Sequence, residues 1–234
     1  MKSKFSALLA SAAIASSLLA PSAAQAFTLS INPQFGSTEN TGATADLNYD
    51  FVQQGNDVLL NIGITNTTNG TVALGATAAT LVGVAFDFLP GLNYTYDPKT
   101  SAFTNTYSNV DIPGLANDFD FGIRSAGPGN FVGGNPQQGL TAGQSTSVSF
   151  LLSGANLLAN SLEQQFLNGF QNGSLQVGGR FQQVNAGGGS DKVLAGIPNV
   201  TPPTQSVPEP ASLLGLGLVA SGMVVARRRR TIPN

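Results

Sequence analysis

The sequence predicts a mainly β chain. It would form a single β-sandwich, Ig-like or jelly-roll-like, carrying one short amphipathic helix between an N-terminal signal helix and a C-terminal transmembrane helix. Three observations carry this. Apolar and polar residues alternate in short runs through most of the chain. Gly, Asn and Pro separate those runs, with 28 glycines and 13 prolines among 234 residues. Only one internal segment, 155–170, changes to a helical period.

Phe27–Ile31 is the first strand. In 43–52, Leu47, Tyr49 and Phe51 share one face while Asp46, Asn48 and Asp50 take the other. Residues 57–65 place Leu60, Ile62 and Ile64 on one side. Asn66 to Gly70 reads as a turn, and Asn69-Gly70 suits the positive φ angles of a tight hairpin. Residues 80–88 put Val82, Val84, Phe86 and Phe88 inward, and Pro90-Gly91 closes the run. Phe119, Phe121 and Ile123 form another inward row, opposed by Asp118, Asp120 and Gly122. Residues 145–152 offer Val148, Phe150 and Leu152. Leu158, Leu162, Phe166 and Phe170 then recur every four residues, a helix over 155–170 with Gly169 and Gly173 near its stop. Residues 174–184 return to strand through Leu175, Val177 and Phe181. The exported domain is thus expected at 27–194, followed by a linker at 195–206 containing Pro198, Pro202 and Pro203.

The two ends have a different chemistry. Pro208 and Pro210 fix their own φ and push the preceding residues toward extended backbone, which holds Glu209 outside any helix that follows. Ala211 to Ala226 then carries no charge and no proline. At ~1.5 Å per residue it spans roughly 24 Å, close to the ~30 Å hydrocarbon core. Arg227, Arg228, Arg229 and Arg230 end the span, and the positive-inside rule places them in the cytoplasm with the body across the membrane. A buried core helix would not end in four arginines. A plain single-span anchor is the other reading of the same residues.

At the start, Lys2 and Lys4 precede the largely apolar 5–20, and Pro21 ends it. Ala24-Gln25-Ala26 supplies the small-x-small pattern of a signal-peptidase site, so residues 1–26 read as a signal peptide and the mature chain starts at Phe27.

The stretch 207–230 resembles the PEP-CTERM sorting signal of Gram-negative bacteria, with Pro208, Glu209 and Pro210 as its tripeptide, 211–226 as its transmembrane span and 227–230 as its arginine cluster. The resemblance implies recognition by an exosortase, a membrane cysteine transpeptidase or protease, which removes or exchanges the tail. It also implies a life among exopolysaccharide and biofilm material. The catalytic chemistry belongs to the exosortase, and this chain is its substrate. Segments 81–90 and 133–153 are diffusely similar to those of other short secreted proteins with this tail, a likeness that implies no activity.

Six of the ten basic residues sit in the terminal segments. Between Phe27 and Ser206, Lys99, Arg124, Arg180 and Lys192 face eleven acids, a net charge of −7. Bulk charge therefore disfavours nucleic acid and anionic lipid as partners. Asn, Gln, Ser, Thr and Gly dominate instead, which suits contact with extracellular polysaccharide or other neutral polymers.

The chain has no His and no Cys, which removes Ser-His-Asp triads, thiol nucleophiles and the usual zinc sites. No cofactor is expected. A glycan-active enzyme working with carboxylates alone would have to use residues such as Glu39 or Glu163, neither of which lies in a motif. Gly133-Gly134 and Gly187 to Gly189 lack the Lys-Ser/Thr that a phosphate loop needs. Asp118 and Asp120, with Asp111 nearby, form a calcium candidate, though the same alternation makes them the wet face of a half-buried strand. Tyr94, Tyr96 and Tyr107 cluster in an Asn/Thr-rich stretch, read as a loop over 93–109, that would offer a sugar-binding surface. The expectation is an exported, non-enzymatic surface or extracellular-matrix protein, transiently membrane-anchored and then placed at the cell surface or outside it. A carbohydrate-binding module is the alternative.

Overall fold

The computed structural model describes residues 26–98, 101–115, 118–127, 129–133 and 135–198. Ala24, the bulk of the signal segment, Pro208-Glu209-Pro210, the span 211–226 and Arg227 to Arg230 lie outside the described residues. Among the described residues, no helix is long and apolar enough to cross a membrane.

Among the described residues the body has eleven strands and one α-helix. The strands are β1 (Phe27–Ile31), β2 (Ala45–Gln54), β3 (Asp57–Asn66), β4 (Thr80–Phe86), β5 (Asn93–Asp97), β6 (Phe103–Asp111), β7 (Asp118–Ser125), β8 (Leu140–Thr141), β9 (Ser145–Ser153), β10 (Val177–Gln182) and β11 (Ser190–Gly196). The helix α1 (Ala159–Asn172) lies between β9 and β10.

The strands form one antiparallel sheet, where an Ig-like or jelly-roll sandwich would have two. Its order is β5-β9-β3-β2-β1-β11-β10-β4-β7-β6, with β8 paired to β4 off this path. The hinge is β1. It pairs along its whole length with β2, but only Ser30 and Ile31 reach β11, opposite Gly196 and Ala195. That short pairing keeps the sheet continuous while letting its two halves curl into a half-barrel. Phe150 on β9 meets Phe86 on β4 at 5.8 Å and Phe121 on β7 at 5.6 Å, so the halves share one core. Burying a side chain such as Phe150 stabilises the fold by about 1.5–3 kcal/mol.

Alternation was a sound guide for β2 and β3, whose inward residues Leu47, Tyr49, Phe51, Leu60, Ile62 and Ile64 are all buried. These strands are joined by the tight hairpin at Gly55-Asn56, where Gly55 has φ +62°. Asn69-Gly70 does not form a hairpin. Gly70 does take φ +81°, but β3 and β4 belong to opposite halves, and 67–79 crosses between them. Buried Asn66 pins that crossing by donating from Nδ2 to the carbonyls of Ala79 (2.9 Å) and Leu140 (2.8 Å).

The helix starts at Ala159, later than 155, because Leu158 is its extended N-cap residue and is 64% exposed. Leu162 and Phe166 bury against the sheet, and Gly173 ends the helix in the left-handed conformation. Phe166 reaches Phe51 at 5.4 Å, and Phe170 meets the edge of Tyr49 at 5.6 Å. Strand β11 runs to Gly196, two residues into the stretch expected as linker.

A second, smaller core covers the outer face of the β10-β4-β7 half. Val110, Ile112, Leu115, Phe119 and Phe131 cluster there with Ala85. Glycines make its floor. A Cβ at Gly122 would lie 2.7 Å from both Phe131 and Val110, and one at Gly178 would lie 2.9 Å from Ile112 and Phe119. Phe121 and Ile123 join the main core, whereas Phe119 belongs to this outer cluster because glycine leaves room for its ring. With both faces covered, every residue of β4 is buried.

Candidate functional site

The half-barrel has a seam where its edge strands β5 and β6 fail to pair with each other. The two are consecutive in the chain, so the expected loop over 93–109 is two strands with a short connection. Tyr94 and Tyr96 lie on the inward face of β5 and fill the seam, their rings 5.5 and 5.8 Å from that of Phe121. The Tyr96 hydroxyl donates to the Phe103 carbonyl at 2.6 Å, across the two edges. Burial pushes the Tyr96 phenol upward, partly offset by the Ser101 side chain, with Asp97 adding to the rise.

At the mouth of the seam is a cleft of about 250 Å³, lined by Phe88 to Leu92, Tyr94, Ser108, Asn109 and Asp120. The Tyr94 ring stacks on Phe88 at 4.0 Å, with 15° between the planes. Partial burial, then the nearby Asp120 carboxylate, raises the Tyr94 phenol.

Asp120 lies beside Asp87, one step beyond the last β4–β7 pair, Phe86 with Phe121. Here the side chains continue the ladder. Asp120 Oδ2 accepts the Phe88 N–H at 2.8 Å, and Asp87 Oδ2 accepts the Gln176 N–H at 2.8 Å. Burial raises the Asp87 carboxyl; the Gln176 N–H pulls the other way, the Asp120 charge raises it further, and the Asp120 N–H also counters. Both carboxylates are thus engaged by backbone. The cleft presents an aromatic edge, a hydroxyl, an amide and a carboxylate, a set suited to holding a hydroxylated ligand.

The sequence-predicted residues are scattered. Tyr107 is on the opposite face of the sheet from Tyr94 and Tyr96, meeting Phe131 at 6.0 Å and donating to the Gly129 carbonyl at 3.0 Å. The three tyrosines therefore share no common surface. Asp118 pairs in register with Asp111 on β6, away from the Asp87–Asp120 contact. Among the described residues, no three His, Cys, Asp or Glu side chains group to hold a metal ion. Glu163 is buried on the core side of α1, and Glu39 is exposed beside Gly188. Ala26 is exposed, immediately before Phe27 opens β1.

Sequence reasoning missed Arg124. This residue is fully buried on the outer face, its guanidinium 5.2 Å above the Tyr107 ring. It donates to the carbonyls of Gly127 (2.5 Å), Ser125 (3.3 Å) and Asn130, so it ties the loop after β7 to the sheet. The available signal was the scarcity of cations in the body: an isolated arginine in an alternating strand invites a specific use.

Fold and cleft define a class: a mainly β half-barrel with one helix and an open seam. The tail supplies the particular. The family model described as the PEP-CTERM protein-sorting motif matches residues 206–230. No curated protein and no solved structure matches the chain. The chain therefore carries a sorting motif that implies exosortase-dependent sorting of a surface protein, with export and membrane-anchored transit before processing.

Proposed function

We propose that the body is a non-enzymatic structural or interaction component of the cell surface or extracellular matrix, delivered there by exosortase processing of its tail. The observation that carries this reading is the sorting motif at 206–230. Signal peptidase cuts after Ala26, and the exosortase acts at Pro208-Glu209-Pro210. The start of β1 supports the first cut. Phe27 pairs with Tyr49 and stacks on its ring at 5.0 Å, whereas Ala26 is exposed, so cleavage between Ala26 and Phe27 leaves the sheet whole.

The test is the intact mass of the chain recovered from the envelope and medium of its native host. The expected mass lacks residues 1–26 and the segment after the tripeptide, with any added mass reporting a new attachment. A mass retaining 211–234 would overturn sorting and leave a plain anchored protein. Glycan cleavage lost in Glu163→Gln would overturn the non-enzymatic part.

One observation favours a second reading. Tyr94 lines the cleft beside Ser108, Asn109 and Asp120, which supports a carbohydrate-binding module centred on the seam. Tyr107, on the other face, would take no part.

A further inference from the structure

The body has only four cations, and three of them fall in one line. Register pairs Arg124 on β7 with Gly83 on β4, Gly83 with Arg180 on β10, and Arg180 with Lys192 on β11. These residues form a single row across the outer face of the sheet, in a body whose net charge is −7.

Two of the three are committed to backbone. Arg124 is spent on the loop carbonyls described above, and Lys192 Nζ donates to the Pro113 carbonyl at 2.5 Å. Arg180 differs. Its guanidinium has no hydrogen-bond or ion-pair partner among the described residues, and the Nε is sealed from solvent. The rest of the side chain is half-buried, and that burial lowers its affinity for its proton. A guanidinium nitrogen buried without a partner is unfavourable, because it is desolvated without compensation. Local rules broken without compensation mark functional sites.

The surroundings confine what can reach it. Ile112 and Phe119 pack over Gly178, two residues before Arg180, and Phe131 packs over Gly83 beside it. Gln182 Nε2 holds the Gly133 carbonyl at 2.7 Å on the far side. Arg180 and Lys192 thus occupy a strip of sheet between the 112–115 segment and the 129–133 loop. Adjacent strands lie about 4.8 Å apart, so one planar anion can face both cations.

We propose that Arg180 and Lys192 form a binding site for the carboxylate groups of an acidic polysaccharide. The guanidinium fork matches a carboxylate in two parallel hydrogen bonds, and Lys192 adds a point charge beside it. The choice of a polymer as the carboxylate's source rests on the surface role proposed above; the site itself rests on the cation row. The net charge of −7 disfavours anionic polymers in bulk, but it does not prevent a local contact at this cation pair, since charges beyond about 8–10 Å are screened at physiological salt.

The experiment uses the chain expressed in and purified from its own host, with polygalacturonate as the probe and neutral dextran, monomeric galacturonate and inorganic phosphate as comparisons. Binding to polygalacturonate and not to dextran is expected, weakening with salt. Arg180→Gln should weaken it by at least about tenfold, the value of one charged hydrogen-bond pair. Arg180→Lys, which keeps charge and bulk but loses the fork, should also bind less well. Thermal midpoints of both variants should equal or exceed that of the parent, since a residue held for binding here costs stability. Unchanged binding in Arg180→Gln would overturn the site. So would competition by phosphate matching that by galacturonate, which would make it a general anion site. Retention of 211–234 in the purified chain would defeat the sorting reading and leave this measurement standing.

Discussion

Asp191 Oδ2 accepts both the backbone N–H of Thr41, at 2.9 Å, and its hydroxyl, at 2.8 Å. The same carboxylate accepts the Ser37 hydroxyl at 2.8 Å, the Thr38 hydroxyl at 3.2 Å and the Glu39 N–H at 3.0 Å. One buried acid on β11 therefore organises the whole turn between β1 and β2.

This predicts an acid-labile step. Burial alone would raise the Asp191 carboxyl, but the Thr41 N–H, the Ser37 and Thr41 hydroxyls and the Glu39 N–H outweigh it and hold the carboxyl below its ordinary value. A depressed folded-state pKa means that the stabilisation is complete above the unfolded value of about 3.9 and is lost as pH falls through the folded one. Asp191→Asn should cost about 2–4 kcal/mol at pH 7 and flatten the fall of stability below pH 4. Urea midpoints from pH 2.5 to 7 would show this. Parallel curves for parent and variant would contradict it.

Arg124 should act as a clasp on the loop after β7. Arg124→Lys keeps the charge but cannot reach the Gly127, Ser125 and Asn130 carbonyls together, so a loss of about 2–3 kcal/mol is expected. Tyr107→Ala, which removes only the ring beneath, should cost about 1 kcal/mol of cation–π contact plus its packing. Hydrogen exchange would localise the effect: amides of 129–133 should open before those of β2 and β3. Uniform protection loss would place the role of Arg124 elsewhere.

The glycine floor makes a stability prediction with an internal control. Gly122→Ala drives a methyl to 2.7 Å from Phe131 and Val110, and should cost about 1–3 kcal/mol by overpacking. Gly63→Ala, on β3, meets only Asn48 Cβ at 3.8 Å and should be neutral or stabilise by about 0.5 kcal/mol. Equal effects would remove the floor as an explanation.

Asp111 and Asp118 face each other in register on β6 and β7. Like charges so placed repel, so Asp118→Asn should raise stability by about 0.2–1 kcal/mol in low salt, less in high salt. The calcium candidate turns on the same pair with Asp120. Calcium should shift the thermal midpoint no more than magnesium at equal ionic strength. A calcium-specific rise abolished by Asp118→Asn would reinstate the ion.

The legible parts of this fold were those where one face is wet. β2, β3 and β9 alternate because only their inner face is covered, and α1 shows its period for the same reason. Elsewhere the signal was masked by a second layer. β4, Thr80–Phe86, is buried on both faces, and β10 carries Gly178 and Gly179 to admit Ile112, Phe119 and Ile31. β5 and β6 read as loop because edge strands exposed to water are rich in Asn, Thr and Ser. The tyrosine cluster was a sequence neighbourhood that opposite sheet faces divide. The cation row was not legible because register alone sets Arg180 opposite Lys192 across the β10–β11 hairpin, and Arg124 joins them only through β4, a strand distant in the chain. The sorting motif, by contrast, is a local signal, and the family model matches it at 206–230.

The seam cleft gives the carbohydrate reading a test that spares the core. Tyr94→Ala would remove the ring stacked on Phe88 and so confound binding with unfolding. Ser108→Ala is the cleaner probe. Ser108 is exposed on β6, lines the cleft and should change stability by less than about 0.5 kcal/mol. If the cleft holds a sugar, Ser108→Ala weakens retention on neutral glycan by the value of a hydroxyl hydrogen bond, about 0.5–1.5 kcal/mol or two- to twelvefold, while Tyr107→Ala leaves it unchanged. Equal loss in both variants would mean that retention tracks folding alone. Loss only in Tyr107→Ala would move the sugar to the outer face, beside Arg124.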